Sequence, residues 1–304
     1  MTGAPVRRVP LAACIQLFTG MALFGATTPI SRIIAEDLPV FSSSMLRMLL
    51  AVLALTFFLG DDLRALRRAT ARDWFAITGI TAFGMVGFTA MMLFGMRLTT
   101  GVVGATVMSA TPAVTALAAV LFLGEAFNRR KALALALAVA GALAISYTRQ
   151  HGAGGDAIVT GALLVGIAVC FEAAYTLLSK VVSEQISSLA ITYVASLAAI
   201  PCFAVLAVFF DAQPFDYTGA DAATWMAVLF WGIAAAALAP VLWYAGVRRV
   251  PGTLSAGFMA VMPVSGLVLS YVLLQESFRV AHLVGFGLAF LGMLLMVREH
   301  AADA

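Results

Sequence analysis

Charged residues are scarce in this sequence of 304 residues, because Asp, Glu, Lys and Arg together make up only 11% of it. A soluble domain carries about 25% charged residues, which cover the surface that faces water. Hydrophobic residues make up 62% of the chain, and this excess also excludes intrinsic disorder, which requires low hydrophobicity. The composition therefore predicts a chain whose main solvent is a lipid bilayer.

Cysteine and histidine are also rare, with three residues of each. The cysteines lie in apolar runs, and their odd number gives no disulfide framework; they are Cys14, Cys170 and Cys202. The chain has no His-Glu-x-x-His motif and no Gly-Lys-Ser/Thr phosphate loop, which are signatures of metalloproteases and of ATPases. We expect no catalytic residues, no metal and no cofactor, and an intramembrane enzyme is the weaker alternative.

The net charge is only +3, and the sequence contains no basic tract. Binding to nucleic acid depends on clustered Lys and Arg residues that neutralise phosphates. We therefore expect no nucleic-acid partner.

Ten apolar segments run through the chain, separated by charged clusters. They are continuous runs rather than ten-residue alternations, which favours transmembrane helices over barrel strands. We predict an all-α membrane protein with these ten transmembrane helices: Val9–Ser31, Leu38–Gly60, Trp74–Met96, Leu98–Gly124, Ala132–Thr148, Ala157–Ser179, Gln185–Phe210, Ala222–Val247, Val250–Gln275 and Val280–Val297.

The distribution of cations predicts the orientation of the chain. With ten spans, 13 of the 18 Lys and Arg residues fall on the side of the amino terminus, and four fall on the other side. The loop Asp211–Asp221, on that other side, carries three Asp residues and no cation. Cytoplasmic loops are enriched in Lys and Arg. Both termini are therefore predicted to be cytoplasmic.

The second half of the chain repeats the first. A shift of 151 residues aligns three spans of each half without gaps, and a shift of 148 gives a weaker match near the start of each half. Each half has five spans, an odd number, so the second half must enter the membrane upside down. We predict inverted five-helix repeats over residues 9–148 and 157–298. The aligned pairs include Trp74 with Trp225, Gly95 with Gly246, Arg97 with Arg248, Pro112 with Pro263, and Glu125 with Glu276.

The repeated residues resemble a known family. In each half a proline lies midway along the fourth span, an acidic residue follows after 13 positions, and a glycine follows after 16 more: Pro112, Glu125 and Gly141, then Pro263, Glu276 and Gly292. By this pattern the chain, from Leu11 to Val297, resembles the EamA-like branch of the drug/metabolite transporter superfamily. Its length and aromatic-rich spans are most similar to the bacterial amino-acid exporters of that group, including exporters of aromatic amino acids. Gln275, where the first half has Gly124, departs from the symmetry.

The resemblance implies a central cavity lined by spans 1, 3, 4, 6, 8 and 9. Polarisable and amphipathic residues in these spans suit apolar and aromatic substrates, and the alternative for each is contact with lipid or a neighbouring helix. The predicted substrate-binding residues are Phe24, Thr27, Phe83, Met92, Met108, Ser109, Phe171, Glu172, Tyr175, Trp243, Tyr244, Phe258, Met259 and Met262.

Four prolines interrupt these spans: Pro29, Pro112, Pro240 and Pro263. A proline leaves a carbonyl group of the preceding turn without its helical partner, which is tolerated in a membrane where it faces protein or a watery cavity. We predict that they act as hinges, and the alternative is a packed kink in the bundle.

Glu125 and Glu276 are predicted to end equivalent helices on opposite faces of the membrane. The dipole at the carboxyl end of a helix disfavours a carboxylate, so each should have a cationic partner. The candidates are Arg129 or Arg130 for Glu125, and Arg279 for Glu276. These pairs are interpreted either as gate latches or as ion pairs that order loops.

Two charged residues lie inside predicted spans, Arg47 at about 12 Å and Glu172 at about 22 Å from the outer face, at 1.5 Å per residue. A charge at such depth costs at least about 2.5–3.5 kcal/mol. Arg47 is interpreted as structural. Glu172 either binds a substrate ammonium group or carries a coupling proton, and the alternative is a hydrogen-bonded residue within the bundle.

Together these features and the resemblance predict a secondary transporter that moves small metabolites, above all amino acids, outward across the inner membrane of a bacterial cell by alternating access. Transport of drugs, purines or nucleotide sugars within the same architecture is the alternative. A membrane receptor or channel is the competing class. The expected partners are the lipid bilayer and a small-molecule substrate.

Overall fold

A computed structural model of the chain describes residues 10–60, 62–123, 155–247, 249–250, 258–259 and 261–303, together with positions 129, 132, 133, 136, 137, 140 and 141. The described residues form helices joined by short connections, and no strand occurs among them. The predicted span Ala132–Thr148 lies mostly outside these residues. Glu125 also lies outside them.

Ten helices are numbered here in chain order. In the first part of the chain they are α1 (Leu11–Asp37), α2 (Val40–Thr56), α3 (Ala71–Leu98), α4 (Gly101–Met108) and α5 (Thr111–Leu123). In the second part they are α6 (Gly155–Ser179), α7 (Ser188–Phe210), α8 (Ala222–Val247), α9 (Val261–Leu273) and α10 (Val280–Asp303). A 3₁₀-helix over Asp62–Arg68 connects α2 to α3.

Five of these helices, α1, α3, α6, α7 and α8, are long and apolar enough to cross a membrane. The pair α4 and α5 adds a sixth span if its bend of 40° is counted as one broken crossing. The helices α2 and α9 and a part of α10 are apolar but shorter. Large apolar side chains such as Phe57 and Phe122 are 88% and 80% exposed, as expected of a surface in contact with lipid.

The helices α3 and α8 each contain a π-helical segment, Ile80–Gly87 and Phe230–Leu238. These two segments begin 150 positions apart in the sequence. A π-helical segment changes the register of the helix and is frequent at functional sites. The same type of irregularity therefore occurs at corresponding positions of the two halves.

The span predicted over Leu98–Gly124 is broken into α4 and α5 at Ser109 and Ala110. Pro112 lies in the first turn of α5, and Pro263 lies in the first turn of α9. A proline fits the first turn of a helix because the backbone N–H that it lacks has no partner there. The two prolines therefore begin helices rather than bending them in the middle.

In each half, the first helix packs against helices of the other half. The helix α1 packs against the carboxyl-terminal part of α8 and against α9, whereas α6 packs against the corresponding part of α3 and against α5. The helices α2 and α7 pack against each other, α2 also contacts the π-helical segment of α8, and α7 contacts that of α3. The first helix of each half thus packs into the other half.

Close contact between α3 and α6 depends on two glycines. A Cβ atom on Gly95 would lie 2.9 Å from the carbonyl oxygen of Gly161, and a Cβ atom on Gly161 would lie 2.7 Å from that of Gly95. Small residues allow helix backbones to approach closely in a membrane. These two positions therefore fix how α6 lies against the first half.

Hydrogen bonds between carboxylates and serines tie distant connections together. Asp211, at the end of α7, accepts hydrogen bonds from the backbone N–H and the hydroxyl of Ser42 at 2.8 and 2.7 Å. Asp73, in the first turn of α3, accepts from the backbone N–H and the hydroxyl of Ser183, both at 2.8 Å. Each carboxylate thus joins a connection in one half to a helix end in the other.

The residue before α8, Asp221, caps that helix by accepting a hydrogen bond from the backbone N–H of Thr224 at 2.8 Å. The hydrogen bonds from the backbone and the hydroxyl of Thr224 lower the pKa of Asp221 below its usual value. The hydroxyl of Thr224 also lies within hydrogen-bond distance of Asp37, at the end of α1, so its single proton is shared between the two carboxylates. The end of α1 and the start of α8 are therefore held together.

Candidate functional site

A cavity lies between the two halves of the chain, and α1, α2, α3, α4, α6, α7, α8 and α9 contribute to its wall. About 180 Å³ of it is open to the centre of a water molecule. A single water needs about 10–15 Å³ by that measure, so the cavity has room for roughly a dozen non-hydrogen atoms. Its size therefore matches a small metabolite rather than one or two structural waters.

Half of the fourteen predicted substrate-binding residues lie in this wall, and they come from five helices. They are Phe24, Thr27, Met108, Glu172, Tyr175, Tyr244 and Met262. Thr28 of α1 and Phe88 of α3 also lie in the wall. The structure thus brings together residues that are up to 238 positions apart in the sequence.

The other seven predicted residues lie outside the wall: Phe83, Met92, Ser109, Phe171, Trp243, Phe258 and Met259. The rings of Phe83 and Phe171 pack on each other with centroids 5.7 Å apart. Met92 belongs to a buried apolar cluster, and the hydroxyl of Ser109 donates to the carbonyl oxygen of Thr106 at 2.6 Å. These four side chains serve packing and local hydrogen bonding in the structure.

The predicted hinge residues have different locations. Pro240 and Pro263 lie in the wall of the cavity, and Pro29 is buried within α1. The carboxylate of Glu276 accepts hydrogen bonds from backbone N–H groups at the start of α4. Among the predicted hinge and gate residues whose side chains the structure describes, Pro240 and Pro263 thus border the cavity.

Two helices that the sequence did not assign to the cavity also contribute to it. The helix α2 supplies Arg47 and Met48, and α7 supplies Thr192 and Ser196. The hydroxyl residues Thr192 and Ser196 are four positions apart on an apolar helix, which places them on one face. That spacing is a sequence signal by which α7 could have been assigned to the cavity.

The remaining wall residues that the sequence missed are small or lie at the π-helical segments. They are Gly25, Gly84, Met85, Ala105, Ala235, Ala236 and Gly266. The sequence carries no signal for these positions, because a change from α to π geometry rotates the following residues without a required residue type.

Arg47 lies deep in the interior and is held by two neighbours. Its Nη1 atom donates to the hydroxyl of Thr89 at 3.0 Å, and its guanidinium carbon lies 4.3 Å from the centroid of the Trp231 ring. Its Nε atom is buried without a hydrogen-bond partner among the residues that the structure describes. The side chain keeps some accessible surface, which borders the cavity.

Glu172 lies in the wall on α6, near the start of α5. The hydroxyl of Thr111 lies 3.0 Å from its carboxylate and 2.8 Å from the carbonyl oxygen of Met108. A hydroxyl has one proton to donate, so the carboxylate has at most a shared donor in Thr111. Within the described parts of the chain, Glu172 forms no ion pair.

An all-helical bundle with an apolar outer surface and an internal cavity that carries isolated charges defines a membrane transport protein. The sequence matches the EamA-like transporter family over residues 11–147 and again over residues 159–298. The chain belongs to the EamA-like transporter family, which fits the drug/metabolite transporter superfamily. The resemblance found in the sequence is therefore confirmed.

Relatives of this chain are also named as transporters. It is 31% identical to the uncharacterized transporter YetK of Bacillus subtilis (strain 168), over 99% of this chain and 92% of that protein. It is 23% identical to the uncharacterized transporter YyaM of the same organism, over 69% of each chain. These relatives support a transporter and do not point to an enzyme.

The fold is shared with a solved structure. The chain aligns with the crystal structure of another protein over 94% of this chain and 96% of that protein. The TM-score is 0.62, and the sequences are 18% identical. At this level of identity the similarity concerns the arrangement of the helices alone.

Proposed function

We propose that the protein is a secondary carrier that exports amino acids with apolar or aromatic side chains across the bacterial inner membrane by alternating access. The observation that carries this proposal is the cavity between the two halves, which is lined by hydroxyl, aromatic and methionine side chains and by two charges. Methionine-rich walls adapt to substrates of different shape. The chain's membership of a transporter family and a cavity sized for small metabolites both support a carrier function.

The proposed architecture is ten transmembrane helices in two inverted repeats, residues 9–148 and 157–298. The repeated family match, the corresponding π-helical segments and the exchanged packing of α1 and α6 support it. Two halves of the same fold and opposite orientation can exchange conformations, so that one face opens while the other closes.

The hydrogen bonds between connections support the proposed ten-span topology, in which both termini lie on the same face; the distribution of cations then assigns that face to the cytoplasm. Asp73 and Ser183 both lie in connections predicted on the cytoplasmic side. Asp211 and Ser42, as well as Thr224 and Asp37, lie near the predicted outer side. Each contact thus joins segments that the ten-span topology places on one face of the membrane.

Within this proposal, the seven predicted residues in the wall contact the substrate. Phe24, Met108 and Met262 contact its apolar part, and Thr27, Tyr175 and Tyr244 supply hydroxyl groups. Pro240 and Pro263 border the same space and act as hinges between the wall and the rest of their helices.

The test begins with a thermal-shift screen of the purified protein against amino acids, purines, nucleotide sugars and cationic drugs. Counterflow of the stabilising compound is then measured in proteoliposomes, with protein-free liposomes as the control. We expect amino acids with apolar side chains to stabilise the protein and to exchange across the membrane. Stabilisation and counterflow confined to another class of compound would contradict the substrate assignment, and flux without counterflow would indicate a channel.

A further inference from the structure

The guanidinium group of Arg47 has hydrogen-bonding capacity that the protein does not use. The group carries five N–H donors, and in the described structure the Nη1 contact with Thr89 is its one hydrogen bond. One face of the group is covered by the ring of Trp231 at 4.3 Å, a cation–π contact that stabilises the charge without using any N–H. The Nη2 end of the group has no hydrogen-bond partner among the described residues and, unlike Nε, is not fully buried, so its N–H groups stay available to a ligand.

A purely structural arginine in this chain looks different. Arg97 donates from Nε to the carbonyl oxygen of Ala35 at 2.6 Å and from Nη2 to that of Leu38 at 2.7 Å. Both contacts join α3 to the end of α1. The Nε atom of Arg47, in contrast, is buried and has no partner among the described residues. A buried donor without a partner is unfavourable, and a ligand oxygen that reached it would remove this cost.

An opposite charge borders the same cavity but does not neutralise Arg47. Glu172 lies in the wall with Arg47, and the structure shows no ion pair between these two described residues. Tyr175 lines the same cavity. The cavity thus has a positive pole and a negative pole that are kept apart, and its other side chains are mostly apolar.

We infer that Arg47 binds the carboxylate of a small zwitterion whose ammonium group faces Glu172, so that the cavity selects ligands that carry both charges on a compact apolar molecule. This inference rests on the proposed amino-acid transport and adds the residues that would set the substrate class. A planar guanidinium binds a carboxylate with two parallel hydrogen bonds, which a single ammonium group cannot reproduce.

Ligand analogues test the two poles separately on the wild-type protein in detergent or nanodiscs. L-phenylalanine carries both charges, 2-phenylethylamine lacks the carboxylate, and 3-phenylpropanoate lacks the ammonium group. We expect L-phenylalanine to bind about 10- to 100-fold more tightly than either analogue, because each analogue lacks one charged group that forms hydrogen bonds with the protein. Equal affinity for L-phenylalanine and 2-phenylethylamine would overturn the inference.

Variants then assign the poles to residues. Arg47→Gln should weaken binding of L-phenylalanine and 3-phenylpropanoate about 10- to 100-fold and leave 2-phenylethylamine unaffected. Glu172→Gln should weaken L-phenylalanine and 2-phenylethylamine and spare 3-phenylpropanoate. Arg97→Gln is the control, because it removes an arginine at the exposed end of α3 whose donors are used by backbone carbonyls outside the cavity. It should lower stability without changing the order of affinities.

The outcomes separate this inference from the proposed function. Binding and counterflow of L-phenylalanine that are unchanged in Arg47→Gln, or equal loss of all three ligands, would overturn the carboxylate role of Arg47 and leave amino-acid transport intact. A wild-type protein that neither binds nor exchanges any amino acid would overturn the proposed function and this inference with it. If Arg47→Gln does not fold, Arg47→Lys serves, with weaker binding of L-phenylalanine and unchanged binding of 2-phenylethylamine expected.

Discussion

The carboxylate of Glu276 accepts a hydrogen bond from the backbone N–H of Gly101 at 2.5 Å, although these residues belong to different halves of the chain. A second hydrogen bond comes from the backbone N–H of Val102 at 3.3 Å. Glu276 therefore lies at the amino-terminal end of α4, where the helix dipole favours a negative charge. The sequence predicted Arg279 as the partner of this carboxylate, and the structure shows the start of a helix from the other half in contact with it.

Replacing Glu276 with Ala should destabilise the contact between the start of α4 and the end of α9. Loss of a side chain that caps a helix costs about 0.5–2 kcal/mol, which corresponds to a decrease in Tm of a few degrees. The apparent Tm of the purified variant, followed by intrinsic fluorescence, measures the effect. Glu36→Ala is the control, since Glu36 forms an i,i+4 ion pair with Arg32 that is half exposed and should contribute little. An equal decrease in Tm in both variants would show that the contact of Glu276 with α4 contributes no more stability than an exposed ion pair.

Gly25 marks the closest approach of α1 and α9, and a side chain at this position has no space. A Cβ atom there would collide with the carbonyl oxygen of Met262 and the hydroxyl of Ser265. Since a backbone carbonyl cannot rotate away, Gly25→Ala should force the helices apart at a cost of about 1–3 kcal/mol. A lower apparent Tm and reduced counterflow are expected.

Gly166 of α6 provides the matched control for Gly25, because a Cβ atom at Gly166 would meet nothing within 4 Å. Gly166→Ala should be neutral or stabilising by up to about 1 kcal/mol, since alanine favours a helix. A Gly25→Ala variant as stable and as active as Gly166→Ala would contradict the close packing of α1 on α9.

Pro263 lies in the first turn of α9 and borders the cavity. Pro263→Ala should cost little stability, because a proline in the first turn replaces no helical hydrogen bond. The alanine adds an N–H group with which α9 can extend toward Met259, and this should slow counterflow about tenfold if a flexible joint is needed. Pro201, exposed within α7 and outside the cavity, is the control, and Pro201→Ala should transport at the wild-type rate. Unchanged transport in Pro263→Ala would argue against a hinge at this position.

Much of the fold follows from hydropathy and charge. The predicted span Ala222–Val247 agrees in both bounds with α8, and Ala157–Ser179 differs from α6 by two residues at its start. The prediction ended the first span at Ser31, whereas α1 continues to Asp37. An ion pair of 2.6 Å between Arg32 and Glu36, one turn apart, allows a charged last turn to stay helical. Hydropathy could not detect that extension.

The breaks within helices could be predicted only in part. The proline positions indicated irregular backbone in spans 4 and 9, but they did not show that Pro112 and Pro263 begin new helices. The π-helical segments of α3 and α8 have no residue signature at all. They depend on packing between distant helices, which a sequence read locally does not contain.

The site was predicted to a similar extent. Tyr244 lies in the wall and its neighbour Trp243 does not, because adjacent residues of a helix point about 100° apart. Residue type alone could not choose between them. Arg47 was interpreted as structural from its charge and depth. In the structure it lies beside Trp231 and borders the cavity, a position that neither its charge nor its depth in the sequence could reveal.

The central claim is that a space between two inverted halves is reached from each face of the membrane in turn. Cysteine labelling tests it in a variant in which Cys14, Cys170 and Cys202 are replaced by alanine. A cysteine at Thr192, in the wall, is compared with cysteines at Ala212 and Glu184, which are exposed in the predicted outer and inner connections.

A membrane-impermeant thiol reagent is applied to intact cells and to inverted vesicles, and the rate of labelling is measured at each cysteine. The account predicts that Thr192→Cys reacts from both faces, more slowly when substrate is bound, while Ala212→Cys reacts only from outside and Glu184→Cys only from inside. Labelling of Thr192→Cys from one face alone, or of Ala212→Cys and Glu184→Cys from the same face, would contradict it.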